Sequence, residues 1–61
     1  MFTLTEMQEA KNCSRRVAFV VVRLQRGIES IQSMVLYLPL TQGEFYEISQ
    51  ISMELGLTIQ P

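Results

Sequence analysis

The same helix-start signature occurs near both ends of this chain, and it constrains the fold more than any other feature. Thr3 with Glu6, and Thr41 with Glu44, each place a hydroxyl three residues before a carboxylate. This spacing is typical of a capping box, in which the hydroxyl accepts from one backbone N–H and the carboxylate accepts from the N–H of the capping residue. We therefore expect one helix to begin at Thr3 and another at Thr41.

The sequence marks the C-terminal ends of these two predicted helices with different clarity. The first helix is expected to run to about Asn12. In the second, apolar residues recur at intervals of three and four, which is typical of one buried helix face. These residues are Phe45, Ile48, Ile51 and Leu55. Gly56 follows directly and suits the left-handed conformation in which many helices end.

Residues 14–40, between the predicted helices, admit two interpretations, and we take a β-hairpin as the main one. The apolar runs at 17–22 and 34–38 are rich in residues that are typical of strands. Gly27 suits a hairpin turn between them, and Pro39 would end the second strand. The predicted fold is then α+β, with an N-terminal helix, a two-stranded antiparallel hairpin and a C-terminal helix.

The alternative interpretation is all-α, with one long helix and a short helix packed as a hairpin. Apolar residues at 17, 21, 24, 28, 31, 35 and 38 alternate spacings of four and three, which is the pattern of a heptad seam. The arginines would then project away from that seam. This interpretation places Gly27 inside a helix, at a cost of about 1 kcal/mol, and leaves Phe19 and Leu36 on its outer face.

The size of the chain indicates a single domain, residues 1–61, that needs a partner. A domain of this size buries only about 60% of the surface that its unfolded chain exposes. Cys13 is the only cysteine, so no internal disulfide can form, and without histidine no familiar zinc site can be assembled. We therefore expect a homodimer. Its candidate interface, for a second copy or another protein, comprises Val17, Phe19, Val21, Leu36, Tyr37 and Leu38.

The sequence also predicts a cytoplasmic protein without a membrane segment. The longest apolar run, residues 17–22, is far shorter than the roughly 20 residues that a membrane-spanning helix needs. The N-terminus lacks the basic and apolar regions of a secretory signal.

The inventory of reactive side chains predicts that the protein is not an enzyme and uses no metal or cofactor. Histidine and aspartate are both absent, although they are the usual acid–base groups. Arg15 and Arg16 could lower the pKa of Cys13 and make it reactive, but a small packing residue is the favoured interpretation. The glycines are isolated, so no phosphate-binding loop is present.

Charge segregation supplies the candidate binding site. All five basic residues lie between positions 11 and 26, where no acidic residue occurs, although the net charge is −1. Arg15, Arg16, Arg23 and Arg26 form a candidate surface for anions or nucleic acid. The alternative is that these arginines pair with glutamates of the same chain or of a second copy.

Three functions are compatible with these observations. The first is a small regulatory protein that binds an unidentified protein partner as a homodimer. The second is a nucleic-acid-binding regulator that uses the arginines, and the third is a structural assembly subunit. An accessory protein of a phage or prophage is one setting in which we expect such a chain.

Overall fold

Four helices make up the protein in a computed structural model that describes residues 1–57. They are α1 (Leu4–Lys11), α2 (Arg15–Arg26), α3 (Ile31–Met34) and α4 (Gln42–Glu54). No strand occurs among the described residues, so the predicted α+β hairpin is wrong. The all-α alternative fits the fold class. Residues 58–61 of the predicted domain lie outside the described part of the chain.

Both predicted capping boxes are confirmed. The Thr3 hydroxyl accepts from the Glu6 N–H, and the Glu6 carboxylate accepts from the Thr3 N–H at 2.9 Å. Thr41 and Glu44 repeat this arrangement at the start of α4. Two further starts use a serine hydroxyl alone, Ser14 for α2 and Ser30 for α3.

The long helix of the alternative interpretation is interrupted where residues adopt left-handed backbone conformations. Asn12 (φ 50°) follows α1, and Gly27 (φ 69°) follows α2. In both cases the N–H of the following residue donates to a carbonyl five residues earlier. Cys13 donates to Gln8, and Ile28 donates to Arg23. These bonds satisfy carbonyls at the helix ends, which stabilises the breaks. Positions 17, 21 and 24 of the predicted heptad seam therefore lie in α2 and position 31 lies in α3, whereas positions 28, 35 and 38 lie outside the helices.

The α2 helix is the centre of the fold, because each of the other helices packs against it. Buried residues cover a continuous arc of about 200° around its axis, taking about 100° per residue. They are Val17, Ala18, Val20, Val21 and Val22. This wide apolar arc is buried, whereas the opposite side of α2 carries the arginines. The strand prediction for the valine run is wrong: it gave the strand preference of valine more weight than the helical spacing that separates arginines from valines over residues 15–26.

The rest of the core comes from one side of each surrounding helix. It consists of Met7 from α1, Ile31 and Met34 from α3, and Ile48 and Ile51 from α4. The end of α4 closes on this core, with Gly56 in the predicted left-handed conformation and the Leu57 N–H donating to the Ser52 carbonyl at 2.8 Å. The Ser52 hydroxyl is fully buried and has no hydrogen-bond partner among the described residues.

None of the helices in residues 1–57 has the length and apolar character needed to span a bilayer.

Candidate functional site

The four candidate arginines lie on the one arc of α2 that the core leaves uncovered. With about 100° per residue, Arg15, Arg16, Arg23 and Arg26 fall within an arc of about 100°, and Phe19 lies inside it. The helix therefore presents a basic face with a single aromatic ring on it. The residues of this face have different environments, and the differences determine which of them are available to a ligand.

Arg16 is engaged within the chain. Its Nε donates to Glu44 Oε2 at 2.8 Å, and its Nη2 donates to the Pro39 carbonyl. The Arg16 hydrogen bond lowers the pKa of the Glu44 carboxyl, and the bond from the Thr41 N–H lowers it further. We call these contacts the Arg16 link; they tie α2 to the start of α4.

Arg23 is engaged in the same way at the other end of α2. Its Nη2 donates to Glu29 Oε1 at 2.6 Å, and its guanidinium lies over the Phe19 ring, 5.5 Å from the centroid. The Tyr37 hydroxyl lies 2.7 Å from both Glu29 oxygens. This hydroxyl, and then Arg23, lower the pKa of Glu29, whereas Glu29 raises the pKa of Tyr37. We call these contacts the Arg23 link.

A groove of 390 Å³ lies on the same face of the molecule. Its lining joins residues from three distant parts of the sequence: Leu4 from α1, Arg15, Arg16 and Phe19 from α2, and Tyr37 and Leu38 from the segment after α3. The volume falls within the range of about 300–1,000 Å³ that is typical of ligand sites. Both links position residues of this lining, because Arg16 and Tyr37 take part in them directly and Arg23 packs on Phe19.

Arg15 and Arg26 differ from the other two arginines. Both are exposed, and neither forms an ion pair with a carboxylate in residues 1–57. They are eleven residues apart on one face of α2, which corresponds to about 16 Å along the helix. These two guanidiniums are the ones available to an external anionic group.

The predicted interface residues separate into two groups. Val17 and Val21 are fully buried against the other helices of the same chain, so they offer no surface to a partner. Phe19 and Leu38 are half-buried, whereas Tyr37 is 55% exposed and Leu36 is 87% exposed. Phe19, Tyr37 and Leu38 come together in the groove, whereas Leu36 does not line it.

Cys13 is in an environment that favours the neutral thiol. Burial raises its pKa, and the negative charge of Glu47 raises it further. The nearby arginines therefore do not produce the reactive thiolate that was considered from the sequence. Within residues 1–57 no three acidic or cysteine side chains are grouped in a way that could hold a metal ion.

Comparisons with protein-family models, with curated proteins and with solved structures gave no match to this chain.

Sequence reasoning did not identify three residues that shape the site. Leu4 lines the groove, Glu44 pairs with the groove residue Arg16, and Glu29 pairs with Arg23, which packs on Phe19. A helical period applied to residues 15–26 would have placed all four arginines and Phe19 on one face. No local pattern indicates Leu4, because its place in the groove depends on how α1 packs against α2.

Proposed function

We propose that this chain is a non-enzymatic interaction protein that binds another protein through the groove beside α2. The observation that carries the proposal is the composition of the groove, which apolar side chains from Leu4, Phe19 and Leu38 line together with the side chain of Arg15. An exposed apolar surface bordered by polar residues is a common form of protein-interaction site. Leu36, which precedes Tyr37 in the chain, is a further exposed apolar residue.

A capture experiment tests this proposal. Tagged protein is incubated with host lysate, with and without nuclease, and three forms are compared: wild type, Phe19→Ala and Tyr46→Ala. Tyr46 is the matched control because it is an aromatic residue of α4, 68% exposed, that does not line the groove. We expect a nuclease-resistant protein partner that Tyr46→Ala retains and Phe19→Ala loses.

A second substitution in the groove keeps the experiment informative if the first substitution prevents folding. Phe19 also packs on the core, so each variant is checked by circular dichroism, and Tyr37→Ala replaces Phe19→Ala if that variant loses helix. Capture of the same partner by the folded groove variants and by wild type would contradict the proposal. The absence of any nuclease-resistant partner would contradict it equally.

Nucleic-acid binding is the second candidate function, and the free guanidiniums of Arg15 and Arg26 support it. With Arg16 and Arg23 already paired, about two phosphates would be neutralised, which predicts a shallow slope of about −2 in a plot of log affinity against log salt. The double variant Arg15→Gln/Arg26→Gln should abolish such binding. A slope unchanged in this variant would contradict the candidate.

The homodimer remains a separate proposal, and so does a purely structural assembly role. Because Val17 and Val21 are used inside the single chain, a dimer that leaves the groove open would have to form through exposed apolar residues outside the groove, such as Leu36. Light scattering on wild type and on Leu36→Ser measures the mass directly. We expect wild type to have twice the monomer mass and the variant to be monomeric.

A further inference from the structure

We infer that the partner segment is an acidic amphipathic helix, which places an apolar side chain in the groove and one carboxylate near each of Arg15 and Arg26. This inference rests on the proposed function and specifies the chemistry of its partner. It follows from the charges that remain on the basic face once the two links are taken into account.

The charge that remains unpaired on the basic face determines the charge that we expect of the partner. Glu44 pairs with Arg16 and Glu29 pairs with Arg23, so these four residues contribute little net charge to the face. Arg15 and Arg26 remain unpaired with any carboxylate in the described chain, one at each end of α2. A ligand that covers this face therefore gains most from two negative groups rather than from a continuous series of them.

The distance between Arg15 and Arg26 determines the secondary structure that we expect of the partner. The interval of about 16 Å equals about three turns of helix. A helix laid along α2 can hold acidic residues ten or eleven positions apart, with apolar residues at intervals of three and four between them. Phe19 lies between the two arginines on α2, and together with Leu4 and Leu38 it provides the apolar contact.

The acidic members of the two links argue against nucleic acid as the occupant. Glu29 and Glu44 already pair with Arg23 and Arg16, so a phosphate backbone that follows α2 would meet unpaired cations of the described chain only at Arg15 and Arg26. Three apolar side chains in the groove would also meet a charged backbone. An amphipathic acidic helix avoids both conflicts, because its charges are separated and its centre is apolar.

A peptide series tests the inference. The probe is a fluorescently labelled synthetic helix with leucines at intervals of three and four and glutamates eleven positions apart. Two further peptides carry glutamine or lysine in place of the glutamates. Fluorescence anisotropy measures the Kd of each peptide for wild type, for Arg15→Gln/Arg26→Gln and for the control variant Arg26→Lys, which keeps its charge.

We expect the glutamate peptide to bind wild type about fivefold or more tightly than the glutamine peptide, since two exposed ion pairs are formed. The preference should disappear in the double variant, persist in Arg26→Lys and weaken as salt is added. Equal affinities for the glutamate and glutamine peptides would overturn the inference. The proposed function would survive that result if the capture experiment still depends on Phe19.

Two other outcomes would also overturn the inference. One is tighter binding of a 12-nucleotide single strand than of the glutamate peptide, with the same dependence on Arg15 and Arg26. The other is a fall in peptide anisotropy at protein concentrations where light scattering shows a dimer, which would identify a second copy as the occupant.

Discussion

Glu29 and Glu44 are two of the residues through which solution pH acts on this protein. Each carboxylate accepts hydrogen bonds and forms an ion pair with an arginine in the folded chain, and these contacts lower its pKa below the ordinary value of 4.5. The folded state therefore holds these protons less tightly than the unfolded state does. The stabilisation is fully present above pH 4.5 and is lost as the pH falls through the lowered folded-state values.

We therefore predict that the melting temperature falls as the pH is lowered from about 5 to 3. The variant Glu29→Gln/Glu44→Gln should show a flatter dependence, because glutamine can still cap α4 but does not titrate. Glu9→Gln is the matched control, since Glu9 is exposed and forms no ion pair in residues 1–57. Thermal melts followed by circular dichroism measure all three, and equal slopes would contradict the prediction.

The buried Ser52 hydroxyl lowers the free energy of unfolding, and we expect its substitution to remove this loss. This hydroxyl is buried and has no hydrogen-bond partner within residues 1–57, an arrangement that costs about 1–3 kcal/mol. We expect Ser52→Ala to raise the free energy of unfolding by about 1 kcal/mol more than Ser49→Ala does. Ser49 lies in the same helix and is only half-buried, so it isolates the gain in helix propensity, about 0.5 kcal/mol. Denaturant unfolding of both variants provides the comparison.

The stability of each helix depends on the residues at its ends as much as on the residues that it buries. Gly27 is the position where α2 stops, and its left-handed backbone would be strained in any residue with a side chain. Gly27→Ala should therefore lower the free energy of unfolding by about 1 kcal/mol.

Gly43→Ala is the matched control for this prediction, since Gly43 is helical and an added methyl group would meet only the Thr41 hydroxyl at 3.9 Å. This variant should gain up to about 1 kcal/mol. Two changes of equal sign in denaturant unfolding would show that the backbone conformation of Gly27 does not limit stability.

These elements differ in how far the sequence could predict them. The capping boxes and Gly56 act within one helical turn, so Thr3, Thr41 and Gly56 are read correctly without knowledge of the rest of the fold. The state of residues 17–22 depends on how many neighbours surround them. Valine favours strands, but the arginines and valines of residues 15–26 fall on opposite sides at helical spacing, and this local signal for a helix was given too little weight in the prediction.

The whole molecule depends on a small core, which makes individual buried side chains costly to remove. Met34 is fully buried, and Met34→Ala should lower the free energy of unfolding by about 2–5 kcal/mol. Met53 is 72% exposed, and Met53→Ala should change it by no more than about 0.5 kcal/mol. Chemical denaturation measures both, and similar losses would mean that Met53 is covered in solution.

The central position of α2 also determines how the molecule opens. Because α1, α3 and α4 all rest on it, displacing any one of them exposes valine side chains to water while the others remain bound. Amide hydrogens in the middle of α2 should then exchange with solvent only when the entire chain unfolds, whereas those of the short α3 exchange through smaller fluctuations. In the complex that we propose, the partner would therefore contact the most persistent part of this protein's backbone.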